Sequence, residues 1–316
     1  MDAGKSEREK SSRLKRCEGD REDDPIRDGF NRHCVNYAPL DEALLSRFIK
    51  DYKASLSRGP EGSAIELKYL AMLPALEGLI ARRILLNYRA DTNVVQRLLP
   101  PPLQVEEHRG YAIVGVCLIR LERLRPRGIP GSLGVSSENM AHRVAIRYPT
   151  AQGNRPGVLI WRRETDQKLI ELFGGRIFPG VYHHARFDVS EDEQRLAMCV
   201  CTRNGEADVS FTAGLGQDWN PSASFPTLTD ASEFFRNGDC GFSCSVDGER
   251  LEGMQMRTQS WNVAPLAVES QQCSFYLDPK RFPTGSVEFD CALIMRGLPH
   301  EWHEITDVPE LASVHR

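Results

Sequence analysis

From Arg83 onward the chain is a succession of strand-like runs divided by turn chemistry. The clearest run is Glu138 to Tyr148. Its residues alternate, with Met140, His142, Val144, Ile146 and Tyr148 on one face and Asn139, Ala141, Arg143, Ala145 and Arg147 on the other. Similar runs are Arg83–Arg89, Tyr111–Leu121, Gly157–Arg162, Tyr182–Val189, Leu196–Arg203, Glu206–Ala213, Gly241–Val246, Leu251–Trp261 and Ser286–Met295. Asn204-Gly205 and Asp247-Gly248 stand between runs where a hairpin turn is needed. Helical signals in this region are few and short. Asp91 can cap a helix that Pro100, Pro101 and Pro102 must stop, Thr165 opens a helix through Phe173, and another surrounds Asp230–Arg236. About ten strands joined mainly by hairpins predict a mainly β (α+β) fold, an antiparallel barrel or sandwich with peripheral helices.

The part before Arg83 reads differently. Residues 1–36 are dense in charge of both signs and almost free of apolar side chains, so they are expected to be a disordered tail and not a secretory signal. Residues 37–82 are expected to form a helical extension, one helix from Asp41 to Leu56 and a second from Ala64 to Arg82 that Pro74 interrupts. Residues 83–297 form the barrel domain, and 298–316 a C-terminal tail. A net charge of −4 supplies no field toward nucleic acid or an anionic membrane. Nine cysteines without a framework spacing read as free thiols, which places the chain in the cytoplasm. Only eight of the forty basic residues are Lys, and beyond residue 82 only Lys168 and Lys280 remain.

One loop stands out chemically. Gly174-Gly175-Arg176-Ile177-Phe178-Pro179-Gly180 combines residues that hold unusual turns and feeds Tyr182, His183 and His184 into a strand. Neighbours on a strand point to opposite faces, so only one of the two histidines can look into a barrel. A histidine there can act as a general base near neutral pH, ligate a metal, or serve as a hydrogen-bonded structural residue. Cys199 and Cys201 share a strand face, and Cys240 and Cys244 lie four apart, without a zinc-site spacing. These thiols read as buried apolar groups. No Gly-rich phosphate loop, nucleophile elbow or HExxH helix is present, and no cofactor or metal is expected.

The segment Ile84 to Leu103, ILLNYRADTNVVQRLLPPPL, resembles the opening strand, helix and proline signature of acetoacetate decarboxylase. Ser137-Glu138-Asn139 falls where that family has its active-site glutamate, and Gly175 to His184 matches its Gly-Arg-Glu…Tyr-Pro-Lys-Lys segment without a gap. Phe234-Phe235-Arg236 and Trp261 to Leu266 resemble an uncharacterised YqjF-like branch of the same superfamily. The resemblance runs from about Ile84 to Met295. It implies a cone-like antiparallel β-barrel around an enclosed small-molecule cavity. It also implies a loss, because the family's tandem lysines fall on His183 and His184, and imidazole forms no imine.

On this reading His183 moves a proton and Glu138 orients or assists. Arg82, the nearest match to the family's arginine, or Arg143 holds a substrate carboxylate, and Tyr182 and His184 complete the pocket. The expected function is small-molecule binding, with lyase-type acid/base chemistry on a small oxo- or hydroxy-acid if the protein is an enzyme. The alternatives are a non-catalytic ligand-binding protein, or a scaffold that uses the N-terminal helices. The expected partner is a small carboxylate, with no nucleic acid and no membrane. Self-association is left open.

Overall fold

A computed structural model describes residues 75–311 apart from 129, 174–179 and 306. The charged tail, the first predicted helix, most of the second and the Gly174–Pro179 part of the loop lie outside the described residues.

Five long strands form the centre of the molecule: β1 (Leu76–Ala90), β4 (Tyr111–Pro126), β5 (Val135–Thr150), β6 (Gly153–Thr165) and β14 (Val287–Glu304). They run side by side in the order β14-β1-β4-β5-β6, each antiparallel to the next. Both outer strands of this group then fork. β6 pairs in parallel with β10 (Cys240–Cys244) at Val158 and Leu159, and with β7 (Tyr182–Glu191) at Arg163 to Thr165. β14 pairs with β11 (Leu251–Thr258) through His300 to Glu304, and with β12 (Ala264–Pro265) at Leu293 and Ile294. β10 and β11 form a hairpin, so one side closes into a ring. On the other side β7, β8 (Arg195–Thr202), β9 (Val209–Gly214) and β13 (Ala267–Cys273) follow in order, and the chain connects β12 directly into β13. Two walls therefore share five strands, one closed into a ring by strand pairing and the other, ending at β13, joined back to β14 through the chain connection to β12. β2 (Gln104–Val105) pairs β5, and β3 (Glu107–His108) pairs β4.

Strand periodicity places apolar side chains on both faces of the shared strands, as a sheet covered on both sides requires. One core holds Ile84, Leu86, Val114, Val116, Met140, Val144 and Ile146 against Met198, Val200 and Phe211 of the longer wall. Phe275, Tyr276 and Phe282, from the connection between β13 and β14, fill the same space. The second core packs Leu85, Ile113, Cys117, Leu293 and Met295 against α3 (Leu228–Asn237), through Ala231 and Phe235. Each fully buried Leu, Ile or Phe contributes roughly 1.5–3 kcal/mol.

The predicted helices at Asp91, Thr165 and Asp230 are present. α1 (Thr92–Gln96) is capped by Asp91, whose carboxylate accepts from the amides of Asn93 and Val94. α2 is Lys168–Phe173, and α3 is capped by Thr227. Three boundaries are corrected. Leu76 to Arg82 is strand and not helix, because this stretch has ladder partners on both edges, in β4 and in β14. β14 continues past the expected tail boundary to Glu304, since Leu298 and His300 are buried against the second core and its partners. The Asn204-Gly205 turn is longer than a two-residue hairpin: β8 ends at Thr202 and β9 starts at Val209, with Gly205 at φ 71°. The sheet is also mixed, with two parallel pairings. No helix among the described residues is long and apolar enough to cross a membrane.

Candidate functional site

The alternation of β5 builds both faces of the site region. Met140, Val144, Ile146 and Tyr148 enter the first core. Ala141, Arg143, Ala145 and Arg147 line a cavity of about 330 Å³ on the other face. Small residues open this space, namely Ala141 and Ala145 on β5, Gly157 on β6, and Gly238 and Gly241 at β10. Phe234 and Phe235 of α3, Met254 and Met256 of β11, and Trp302 of β14 enclose it.

Arg143 dominates the electrostatics. Its side chain is only 4% exposed, and Nη2 donates to Asn87 Oδ1 at 2.6 Å. Asn87 and Arg143 flank the same residue of β4, Gly115. The guanidinium reaches across that strand because Gly115 has no side chain, and a Cβ there would meet the Leu86 carbonyl oxygen at 2.4 Å. Phe235 stacks over Arg143 at 5.0 Å, and Arg143 Nε is buried with no partner. Arg83 and Arg163 line the same cavity. Arg83 Nε donates to Cys117 Sγ at 3.4 Å, and Arg163 Nε donates to Ser243 Oγ at 3.2 Å beneath the Tyr182 ring. Among the described residues no carboxylate is paired with any of these three arginines. Burial, reinforced by Arg83 and opposed by Cys117, pulls the pKa of Arg143 below the usual range. The cavity acids are otherwise engaged. Glu106 pairs with Arg147 at 3.0 Å, and Asp239 accepts from Gln255 at 2.8 Å.

Arg82 and Glu138 are brought together, but in a different role from the one expected. Arg82 Nη2 donates to both oxygens of Glu138, at 2.9 and 3.0 Å, and Nη1 donates to Glu191 at 2.9 Å. Arg120 adds a second cation to Glu138 at 3.5 Å, and Arg296 closes on Glu191. Arg82, Arg120 and Glu138 are each 7% exposed, and neither Arg82 nor Glu138 lines the cavity. Burial, opposed by Arg82 and Arg120, holds the Glu138 pKa above the ordinary carboxylate range. Their charges are spent on one another, and it is the neighbouring Arg83, not Arg82, that lines this cavity. One step along a strand reverses the face.

Neither His183 nor Glu138 lines this cavity. His183 is exposed on β7, with Glu164 as its ladder partner. His184 is half-buried, and its amide donates to Glu171 Oε1 at 3.2 Å. Tyr182 does line the cavity. Among the described residues no group of His, Cys, Asp and Glu side chains is placed to hold a metal.

Two titratable groups were not among the expected site residues, His142 on β5 and Glu164 on β6. His142 is fully buried, stacked on Phe275 at 4.5 Å with Nδ1 4.0 Å from Cys273 Sγ, and burial lowers its pKa to about 3. Glu164 is fully buried, accepts from Arg162, and has Oε2 without a partner. Burial, only partly offset by Arg162, raises its pKa to about 7. The sign follows from linkage. Between about 4.5 and about 7 the folded state holds this proton more tightly than the unfolded chain, so the stability it contributes is present at low pH and lost as pH rises. Glu164→Gln keeps the acceptor for Arg162 and removes the titration. At pH 8 the variant is expected to exceed wild type by about 2–3 kcal/mol, with the gap closing below pH 4.5. Urea melts at several pH values measure this, and a gap independent of pH would show that Glu164 does not titrate in this window.

A family model named DUF2071, described as "Uncharacterized conserved protein (COG2071)", matches residues 80–297. Among solved structures, acetoacetate decarboxylase from Legionella pneumophila superimposes with a TM-score of 0.50 at 14% identity, over 76% of this chain and 88% of that one. An acetoacetate decarboxylase-like enzyme from Sphingomonas wittichii RW1 gives 0.47 at 12% identity, over 76% and 93%. The enduracididine biosynthesis enzyme MppR, complexed with pyruvate, gives 0.46 at 13%, over 75% and 93%. No curated protein matches the chain.

Proposed function

The chain belongs to the DUF2071 family, on the acetoacetate decarboxylase-like fold, and from its cavity we propose a protein that binds a small carboxylate, an oxo- or hydroxy-acid. The observation that carries this reading is the pair Arg143 and Arg83, guanidiniums that line one largely apolar cavity with no carboxylate bonded to either among the described residues. A buried charge is strongly penalised unless something pairs with it, and a bound carboxylate supplies what the protein withholds. Arg143 presents a fork suited to two carboxylate oxygens. Arg163 and Tyr182 would meet the far end of the ligand, and Phe235 with Met254 and Met256 would cover its apolar part.

The binding reading is favoured over acid/base catalysis because Glu106 is paired with Arg147, Asp239 is hydrogen-bonded to Gln255, and neither His183 nor Glu138 lines the cavity. Seven cysteines among the described residues are free thiols, which fits a reducing compartment, and we infer the cytoplasm. The test is thermal denaturation with pyruvate, lactate and their neutral amides. The acids are expected to raise Tm in a concentration-dependent way and the amides are not. Equal shifts from both would remove the carboxylate reading.

Imine chemistry is a separate expectation. No lysine among the described residues lines the cavity, and Lys168 and Lys280 are both exposed. Borohydride with acetoacetate or pyruvate is therefore expected to leave no covalent adduct by mass spectrometry, and acetoacetate decarboxylation to be absent. A reduced adduct lost on changing Lys168 or Lys280 to Arg would show an amine at work outside this cavity.

A further inference from the structure

The floor of the cavity carries one group that the binding reading does not use. Cys117 lies on β4, 4% exposed, directly opposite Ala141 on β5, and both residues line the cavity. Arg83 Nε lies 3.4 Å from its sulfur. Arg143, whose register partner Gly115 is two residues away on the same strand face, is coupled electrostatically to the same thiol. The sulfur therefore lies beside one cation and in the field of a second, neither bonded to a carboxylate among the described residues, and the second is buried with an orphaned Nε. Ala141 beside it leaves room where a larger side chain would cover the sulfur.

We propose that Cys117 is the nucleophile of this cavity, a thiol that reacts with small carboxylates carrying an electrophilic carbon, which Arg83 and Arg143 hold against its sulfur. The proposal rests on the carboxylate reading of the cavity. The two guanidiniums draw the anionic end of the reagent, and the electrophilic carbon one or two bonds away is delivered to Sγ. With iodoacetate the step is a displacement: the S–C bond forms, the C–I bond breaks, iodide leaves, and the thiol proton passes to solvent.

The full-length protein is treated with limiting iodoacetate or with limiting iodoacetamide, and the modified cysteines are mapped by mass spectrometry. Cys244 is exposed and serves as the internal reference. Iodoacetate is expected to label Cys117 before Cys244, about tenfold faster than in Arg143→Met. Iodoacetamide is expected to show no dependence on Arg143, and pyruvate to slow iodoacetate labelling at Cys117 alone. Arg83→Met, read in the same way, guards against a folding defect in the Arg143 variant. Labelling of Cys244 first by both reagents, with Cys117 left intact, would overturn the proposal. The pyruvate-dependent rise in Tm, measured in wild type and in Cys117→Ser, separates the two readings. A shift in both proteins without Cys117 labelling sinks the nucleophile and keeps the carboxylate site, whereas no shift and no labelling sinks both.

Discussion

Replacing Arg143 by methionine is expected to weaken binding of small carboxylates by about 10- to 100-fold with little change in stability. Two terms set the stability. Wild type carries a guanidinium 4% exposed, without a counter-ion, and methionine removes that burial cost while keeping an apolar stem against Phe235. Against this, Asn87 Oδ1 loses its 2.6 Å donor and is left buried, at a cost of about 1–3 kcal/mol. The terms are of similar size and opposite sign, so Tm is expected to move little. Binding has no such compensation. A charge-assisted hydrogen bond contributes about 1.5–3 kcal/mol, which is about 10- to 100-fold in affinity. Arg143→Lys is expected to fall between the two, since it keeps the charge and loses the fork. Calorimetric titration with pyruvate measures this, and undiminished affinity in Arg143→Met would place the ligand elsewhere.

The second large effect concerns Glu138, and it is an effect on folding. Glu138→Ala removes the anion that Arg82 and Arg120 share, although Arg82 keeps Glu191 and Arg120 keeps Glu122. Breaking a buried pair from one side costs about 3–5 kcal/mol, a large share of the 5–15 kcal/mol that holds a typical domain together. The urea midpoint is expected to drop accordingly, while the folded fraction still binds pyruvate. Glu138→Met combined with Arg82→Met and Arg120→Met is expected to recover much of the loss, because well-packed apolar residues replace a buried ion cluster at little net cost. If Glu138→Ala were as stable as wild type but lost carboxylate binding, Glu138 would belong to the site and not to the framework.

The two predictions differ because of strand parity. Arg82 and Arg83 are neighbours on β1, yet Arg82 is locked in a salt-bridge network and Arg83 faces the cavity. The family resemblance placed an arginine within a residue or two of this point, and that margin is as wide as the choice between two faces. His183 shows the same limit from another direction. Its neighbour Tyr182 lines the cavity, whereas the imidazole is exposed. Cys117 was not singled out in the sequence, because nothing in its own strand announces that Arg83 will reach its sulfur and that Arg143 will line the same cavity.

What the sequence determined by itself was the class of fold and the two faces of its best strand. Alternation from Glu138 to Tyr148 is local, with a period of two residues, and it separated Arg143 from Val144 onto opposite faces, which the structure shows to be the cavity face and the core face. Asp91 as a helix cap was legible for the same reason, since the carboxylate and the amides it accepts from lie within three residues. What only the tertiary structure decided was how charges are neutralised. Glu138 meets Arg82 across 56 residues, Arg82 meets Glu191 across 109, and Arg143 meets no carboxylate at all among the described residues. Whether a buried ion is framework or binding group depends on which distant side chain arrives to pair with it. That pairing is set by the way two walls share five strands, and no local pattern encodes it.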